Sequence, residues 1–310
     1  MKELGTGVKT RSPKLAIVCM LVAGAAAIVW QGYCRDITAA RARIAQGSRV
    51  VSTPCGVIEY GDIGSGPPVL VIHGAGGGFD QGLDFGRTLI DKGFRVIAPS
   101  RFGYLRTPLP RDESPMAQAD AHACLLDALN LPRVAVAGGS MGAPSAMQLC
   151  LRHPERCSAL ILLFPIAFAP HPPSDLQQKP SALTQLVMNV TLKSDFAFWS
   201  TMKLSRDTLA EKILATPVAD IRNAPVDEQK RALEVLRNIL PISQREKGLA
   251  NDMSVAPLLP RYELERITVP TLTISAEDDL FGTFKNARYT ADHIPGARFV
   301  GYQSSKGEMA

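Results

Sequence analysis

The sequence predicts an α/β fold, a mostly parallel sheet flanked by helices and interrupted by a helical insertion. Three observations carry that expectation. From Val50 onward, short apolar runs alternate with amphipathic segments, the rhythm of strands covered by helices. Two of the apolar runs, PVLVIHG and RVAVAGGS, end in turns rich in glycine, at His73 and Ser140. Residues 169–260 break the rhythm, with apolar residues at helical spacing and no strand signal. With 310 residues, 46% of them hydrophobic, the chain can bury a sizeable core. Its net charge of +5 is scattered rather than clustered, which argues against a nucleic-acid partner.

Residues 1–14, MKELGTGVKTRSPK, carry four basic side chains and one acid. The run LAIVCMLVAGAAAIVW from Leu15 to Trp30 has no polar side chain. Extended to Tyr33, it approaches the ~20 residues that a membrane helix needs. Trp30 and Tyr33 then fall at an interface. A cleaved export signal competes, with Ala25-Ala26-Ala27 as its small-residue cleavage site. An uncleaved anchor over 15–33 is favoured because the apolar run continues through Ile28-Val29-Trp30. The expected location is therefore a membrane, reached through this helix, or export, with 34–49 as a linker. Orientation stays open, because four Lys/Arg precede the segment and Arg35, Arg41, Arg43 and Arg49 follow it. The six cysteines show no metal pattern. Cys124, Cys150 and Cys157 read as small buried hydrophobes. Cys34 and Cys55 could pair if their face is oxidising.

Residues 50–168 form the first part of the core. Val57–Tyr60 is a short strand before the turn-rich DIGSGPP, and PVLVIHG is a buried strand ending at His73. A helix is expected from Gln81 to Lys92, then the strand FRVIAPS. The next helix starts at Ser114, with Pro115 in its first position. RVAVAGGS is the strand that ends at Ser140, followed by a helix to about His153 and the buried strand ALILLFPIA. The insertion, 169–260, opens on the proline-rich APHPPSDLQQKP and has the size of a lid. Residues 261–310 resume the core with the strand VPTLTISAEDD, a helix at Thr283–His293 and the strand ARFVGYQ.

The sharpest motif is Gly138-Gly139-Ser140-Met141-Gly142, a G-x-S-x-G between a strand and a helix. A nucleophile on so tight a turn is held in a strained backbone conformation, and its neighbours two residues away on either side must be nearly free of side chain. The motif alone is weak, because glycine and serine are common in turns; its strand-turn-helix setting makes it strong. The run His73-Gly74-Ala75-Gly76-Gly77-Gly78 is the second motif. A tetrahedral oxyanion needs converging N–H donors; this glycine-rich loop can supply one and the Met141 amide the other. The competing phosphate loop would want a lysine followed by Ser/Thr, or a dinucleotide fingerprint opening a helix, and neither is present. His73 reads as a structural histidine holding the loop. The third motif is SAEDDLFGTF, where Asp279, with Asp278 in reserve, could orient an imidazole; a solvated turn is the bland alternative.

Together these residues resemble the α/β-hydrolase family, in its lid-bearing esterase and carbon–carbon hydrolase branch. The resemblance covers roughly Val50 to Tyr302 and rests on HGAGGG, GGSMG and AEDD in the family's chain order. It implies the α/β-hydrolase fold, Ser140 as nucleophile, Asp279 as triad acid, and the Ala75 and Met141 amides as the oxyanion hole. His73, Gly74, Gly138 and Gly142 support them. It also implies a small or medium hydrophobic ester, lactone or ketone as substrate, and no cofactor or metal. Serine at the elbow argues against the branches that place an aspartate there. In APSRFGYLRT, Ser100 stands where the family often has Asp, and Arg101 and Arg106 read as solvated surface, with a structural role or a place lining the cleft as the alternatives.

The family takes its base from a histidine in the loop after the last strand. Here that loop is Gln303-Ser304-Ser305-Lys306-Gly307, with no histidine, and the family's closing helix does not follow. Of the five histidines, His73 lies in the oxyanion loop, His122 inside a flanking helix and His153 at a helix end. His171 is at the lid's entrance and His293 precedes the final strand. Lys306 reads as solvated. The expectation is a truncated chain, weakly active or inactive; the alternative is a homologue that binds a ligand without turning it over.

Overall fold

In the first of the chain's two units, Met1–Ala39, an apolar helix leaves its side chains uncovered on every side. The computed structural model describes residues 13–168, 170 and 190–303. Helix α1, Pro13–Gln46, is 34 residues long and passes from this unit into the second, Ala40–Ala310. Ile17, Leu21, Ile28 and Trp30 are all more than half exposed. A helix apolar all round belongs in the core of a large protein or in a bilayer. The expected linker over 34–49 is mostly helical instead. RDITAARARIAQ holds no glycine or proline, and Gly47 ends the helix where a Cβ would lie 2.8 Å from the Phe79 ring.

Within the second unit, eight strands among the described residues form one sheet, in the order β1-β2-β4-β3-β5-β6-β7-β8. They are β1 Arg49–Thr53, β2 Gly56–Ile63, β3 Pro68–Ile72, β4 Arg95–Pro99, β5 Val134–Gly139, β6 Cys157–Leu163, β7 Thr271–Ala276 and β8 Arg298–Tyr302. β1 and β2 make an antiparallel hairpin, β2 runs antiparallel to β4, and the other pairs are parallel. The VV pair of β1, too short to read as a strand by itself, is held by its register with β2.

The central strands are buried on both faces, as parallel strands covered by helices must be. Leu70, Ile72, Ile97, Val136, Leu160 and Leu162 pack with α4, Pro115–Ala128, and α5, Ala143–Arg152. Val69, Val71, Val96, Ala98 and Ala137 face the other way, against Leu83, Leu89 and Ile90. The expected Gln81–Lys92 helix is two, α2 Phe79–Phe85 and α3 Arg87–Asp91, parted at Gly86, where a Cβ would lie 2.7 Å from the Val96 side chain. Ser114 caps α4 by accepting from the Ala117 N–H, with Pro115 at the first position.

Between β6 and β7 the described residues form helices only: α6 Asp195–Leu204, α7 Arg206–Leu214, α8 Val218–Asn223, α9 Val226–Asn238 and α10 Glu246–Val255, with short 3₁₀ turns. The last helix, α11, is Thr283–His293.

The cysteines correct the sequence expectation. Cys55, in the β1–β2 turn, is bonded to Cys124 on α4, and Cys150 to Cys157 across the α5–β6 turn. Cys34 is a free thiol rather than the partner of Cys55. Cys55 and Cys124 are 69 residues apart, and only the packing of α4 beside the hairpin brings them together.

Candidate functional site

Strand order alone selects one place on this sheet. β3 lies between β4 and β5, so the chain leaves its carboxyl end toward one side, while β5 emerges on the other. Such a switch point opens a crevice at the carboxyl edge. The β3–β5 register, Ile72 opposite Gly138, sets the His73–Gly78 loop beside Ser140.

Ser140 follows β5 directly with φ 48°, in the left-handed region that an L-residue occupies at a cost of about 1–2 kcal/mol. The turn is held from both sides. A Cβ at Gly142 would lie 2.4 Å from the Ile72 carbonyl, and one at Gly138 2.7 Å from the Ala146 Cβ. The two glycines thus let α5 start hard against β3 and β5. Ser140 is half-buried, and its hydroxyl makes no hydrogen bond among the described residues.

The neighbouring loop is held by side chains on both sides of Ala75. Gly74 N–H donates to Gln81 Oε1 at 2.9 Å, and Gly76 N–H to the Tyr104 hydroxyl at 3.1 Å. The exposed Ala75 keeps its N–H without an acceptor among the described residues, next to Ser140. His73 is wholly buried: Nδ1–H donates to Gly74 O at 2.7 Å and Nε2 accepts from Arg101 N–H at 2.9 Å. Burial, then the Arg101 charge, pushes its pKa well below the ordinary 6.5, so the ring is neutral and spans the loop.

Asp279 lies just past β7, two strands from β5 and hence ~10 Å along the sheet edge from it. Its Oδ1 accepts from Phe281 N–H at 2.8 Å and Thr283 N–H at 3.3 Å, which pins the carboxyl at the start of α11. Burial raises its pKa above the usual value, opposed by those two amides. The Thr283 hydroxyl also hydrogen-bonds the carboxyl and adds to that opposition.

The other described histidines are engaged elsewhere. His122 Nε2 faces Ser145 Oγ at 3.4 Å, with burial pushing its pKa down to about 3. His153 pairs with Asp120 at 2.8 Å, and His293 Nδ1–H donates to Tyr289 O at 2.7 Å. His171 and Lys306 lie outside the described residues.

Sequence reasoning missed the charged groups beneath the loop. Arg101, expected at a solvated surface, is 6% exposed and forms a bidentate pair with Asp252 of α10, at 2.7 and 2.6 Å. Arg106 is partly exposed and pairs with the buried Glu59. Arg245 is fully buried, donating to Gly77 O, Asn238 O and both oxygens of Asp80. Burial alone would raise the Asp80 pKa, but the charges of Arg245 and Arg43 outweigh it and hold it at about 2, below the ordinary 3.8. A pKa lowered on folding adds stability above the unfolded value and loses it as pH falls through the folded one. Asp80→Asn should therefore cost about 2 kcal/mol at pH 7, read by urea unfolding, and the gap to the parent should close between pH 4 and pH 2.

A model of the α/β-hydrolase fold family matches residues 67–306. A Bacillus subtilis protein named as an uncharacterized hydrolase is 25% identical over 248 residues, 78% of this chain and 85% of its own. A 2-hydroxy-6-oxo-6-phenylhexa-2,4-dienoate hydrolase of Comamonas testosteroni is 26% identical over 235 residues, 73% of this chain and 76% of its own. Among solved structures, an α/β-hydrolase fold protein from Nakamurella multipartita matches with TM-score 0.61 at 32% identity, over 82% of this chain and 89% of its own. An enol-lactonase from Burkholderia xenovorans shares the fold, with TM-score 0.60 at 21% identity over 84% of this chain and 94% of its own.

Proposed function

We propose, as the chain belongs to the α/β-hydrolase fold family, that it is a serine hydrolase acting on a small or medium hydrophobic ester, lactone or ketone through Ser140. One observation carries this: Ser140 stands strained at the end of β5, its hydroxyl without a partner among the described residues, beside the loop that bears the Ala75 N–H. Ser140 Oγ attacks the substrate carbonyl carbon. A base outside the four described histidines takes the Ser140 proton, and the carbonyl oxygen becomes an oxyanion that accepts from Ala75 and Met141 N–H; the leaving group departs with that proton, and water, giving a proton to the same base, releases the acyl group from Ser140. Asp279 orients that base, which is neutral until it takes the proton, and balances its charge afterwards. The dienoate hydrolase among the relatives supports this substrate class. Helices α6–α10 serve as the lid.

A second proposal is a homologue that binds such a ligand without turnover. It is favoured by the four described histidines, each bonded away from Ser140. A fluorophosphonate probe separates the two: rapid labelling of the purified chain that is absent in Ser140→Ala supports the hydrolase, and no labelling overturns it.

The same proposal places the chain at a membrane or beyond it. The stretch Ala16–Gln46 has a mean hydropathy of 1.8 over its best window, and the two disulfides suit an oxidising compartment. Alkylation of the unreduced full chain should modify Cys19 and Cys34 alone, with the other four cysteines reacting only after reduction. Four more reactive thiols without reductant would point to a reducing compartment.

A further inference from the structure

We infer that Asp252, contributed by the insertion, is the positioning residue for the oxyanion loop, acting through Arg101 and Tyr104. This rests on the proposed role of Ala75 as an oxyanion donor. The geometry concerns two peptide units. Gly74 C=O and Ala75 N–H belong to one planar unit, so whatever holds the oxygen also aims the hydrogen. Arg101 Nη2 donates to Gly74 O at 3.1 Å, and Arg101 Nε donates to His73 O at 3.0 Å. Ala75 C=O and Gly76 N–H form the next unit, held where Gly76 N–H donates to the Tyr104 hydroxyl.

Both anchors end on one carboxylate. Asp252 Oδ1 accepts from Arg101 Nη1, and Oδ2 accepts from Arg101 Nη2 and from the Tyr104 hydroxyl. That hydroxyl has a single proton. Since it accepts from Gly76, the proton is free to go to Asp252, which fixes the direction of the chain of bonds. All three side chains are buried, so no water competes for these bonds. The carboxylate is itself placed by the docking of α10 on the segment after β4, where Gly248 N–H donates to Gly103 O at 3.0 Å.

Removing Asp252 leaves a buried guanidinium unpaired and can unfold the chain, so the test uses Tyr104→Phe, which deletes one hydroxyl. A fluorophosphonate reads the labelling rate of Ser140, and p-nitrophenyl acetate reads kcat and KM. Displacing one preorganised donor predicts a fall of roughly 10–100-fold in labelling rate and in kcat, with KM within about twofold of the parent. Hydrogen exchange at the Gly74–Gly77 amides should accelerate, which a merely structural loss elsewhere in the fold would not produce. A Tyr104→Phe variant that labels at the parental rate, or whose loss lies in KM alone, overturns the inference and leaves the Ser140 proposal standing. A parent chain that never labels at Ser140 overturns both.

Discussion

Ser140→Ala is expected to abolish fluorophosphonate labelling and to lower ester hydrolysis by at least about 10³-fold. The size of the fall is as informative as its presence. Members of a serine-centred triad act as a unit, and loss of the serine alone costs up to ~10⁶ in turnover when a base is engaged. Without a base, the serine adds little to the ~10³–10⁴ over water that an oxyanion hole and binding provide. A loss near the upper figure would identify a working base outside the four described histidines, and His171→Ala is then the first variant to compare. A loss below about tenfold would favour the binding protein over the hydrolase.

Asp252→Ala is expected to destabilise the second unit by about 3–5 kcal/mol, measured by urea unfolding, because it strands the buried Arg101 charge. Much of that cost should vanish in the double variant Arg101→Met/Asp252→Leu, since well-packed apolar side chains often replace a buried ion pair without loss. The labelling rate of Ser140 should not recover in the double variant, because the loop has then lost the Arg101 anchor and Tyr104 has lost the carboxylate that holds it. Equal recovery of stability and labelling would mean that the pair serves folding alone.

The parts of this structure legible in the sequence are local. β3, β5 and α4 announce themselves in apolar runs and a Ser-Pro start, and the G-x-S-x-G turn sits where a strand gives way to a helix. The candidate residues Ser140, Ala75, Met141 and Asp279 fall at the carboxyl ends of three strands of one sheet, which is what strand order and register add to the motifs. The pairing of Arg101 with Asp252 was not legible, because arginine and aspartate are ordinary surface residues until two segments 151 positions apart close over them. Cys55 and Cys124 were hidden for the same reason. Gly86, by contrast, lies in plain view inside the expected Gln81–Lys92 helix. A glycine within a helical pattern is usually tolerated, and only the approach of Val96 explains why two helices meet there.

The anchoring of the His73–Gly78 loop on Asp252 also sets an order of events in the making of the protein. Arg101 follows the loop closely, but its carboxylate is encoded 151 residues later. At about 5–20 residues per second, synthesis leaves the loop without that partner for roughly 8–30 s. The sheet strands nearest the loop can pair in that interval, whereas the two peptides around Ala75 cannot be aimed until α10 has been made and docked. Completion of the His73–Gly78 loop is thus a late, non-local step that follows the closing of a long loop. A nascent chain arrested before residue 252 would carry Ser140 on its turn with the neighbouring amides still unset.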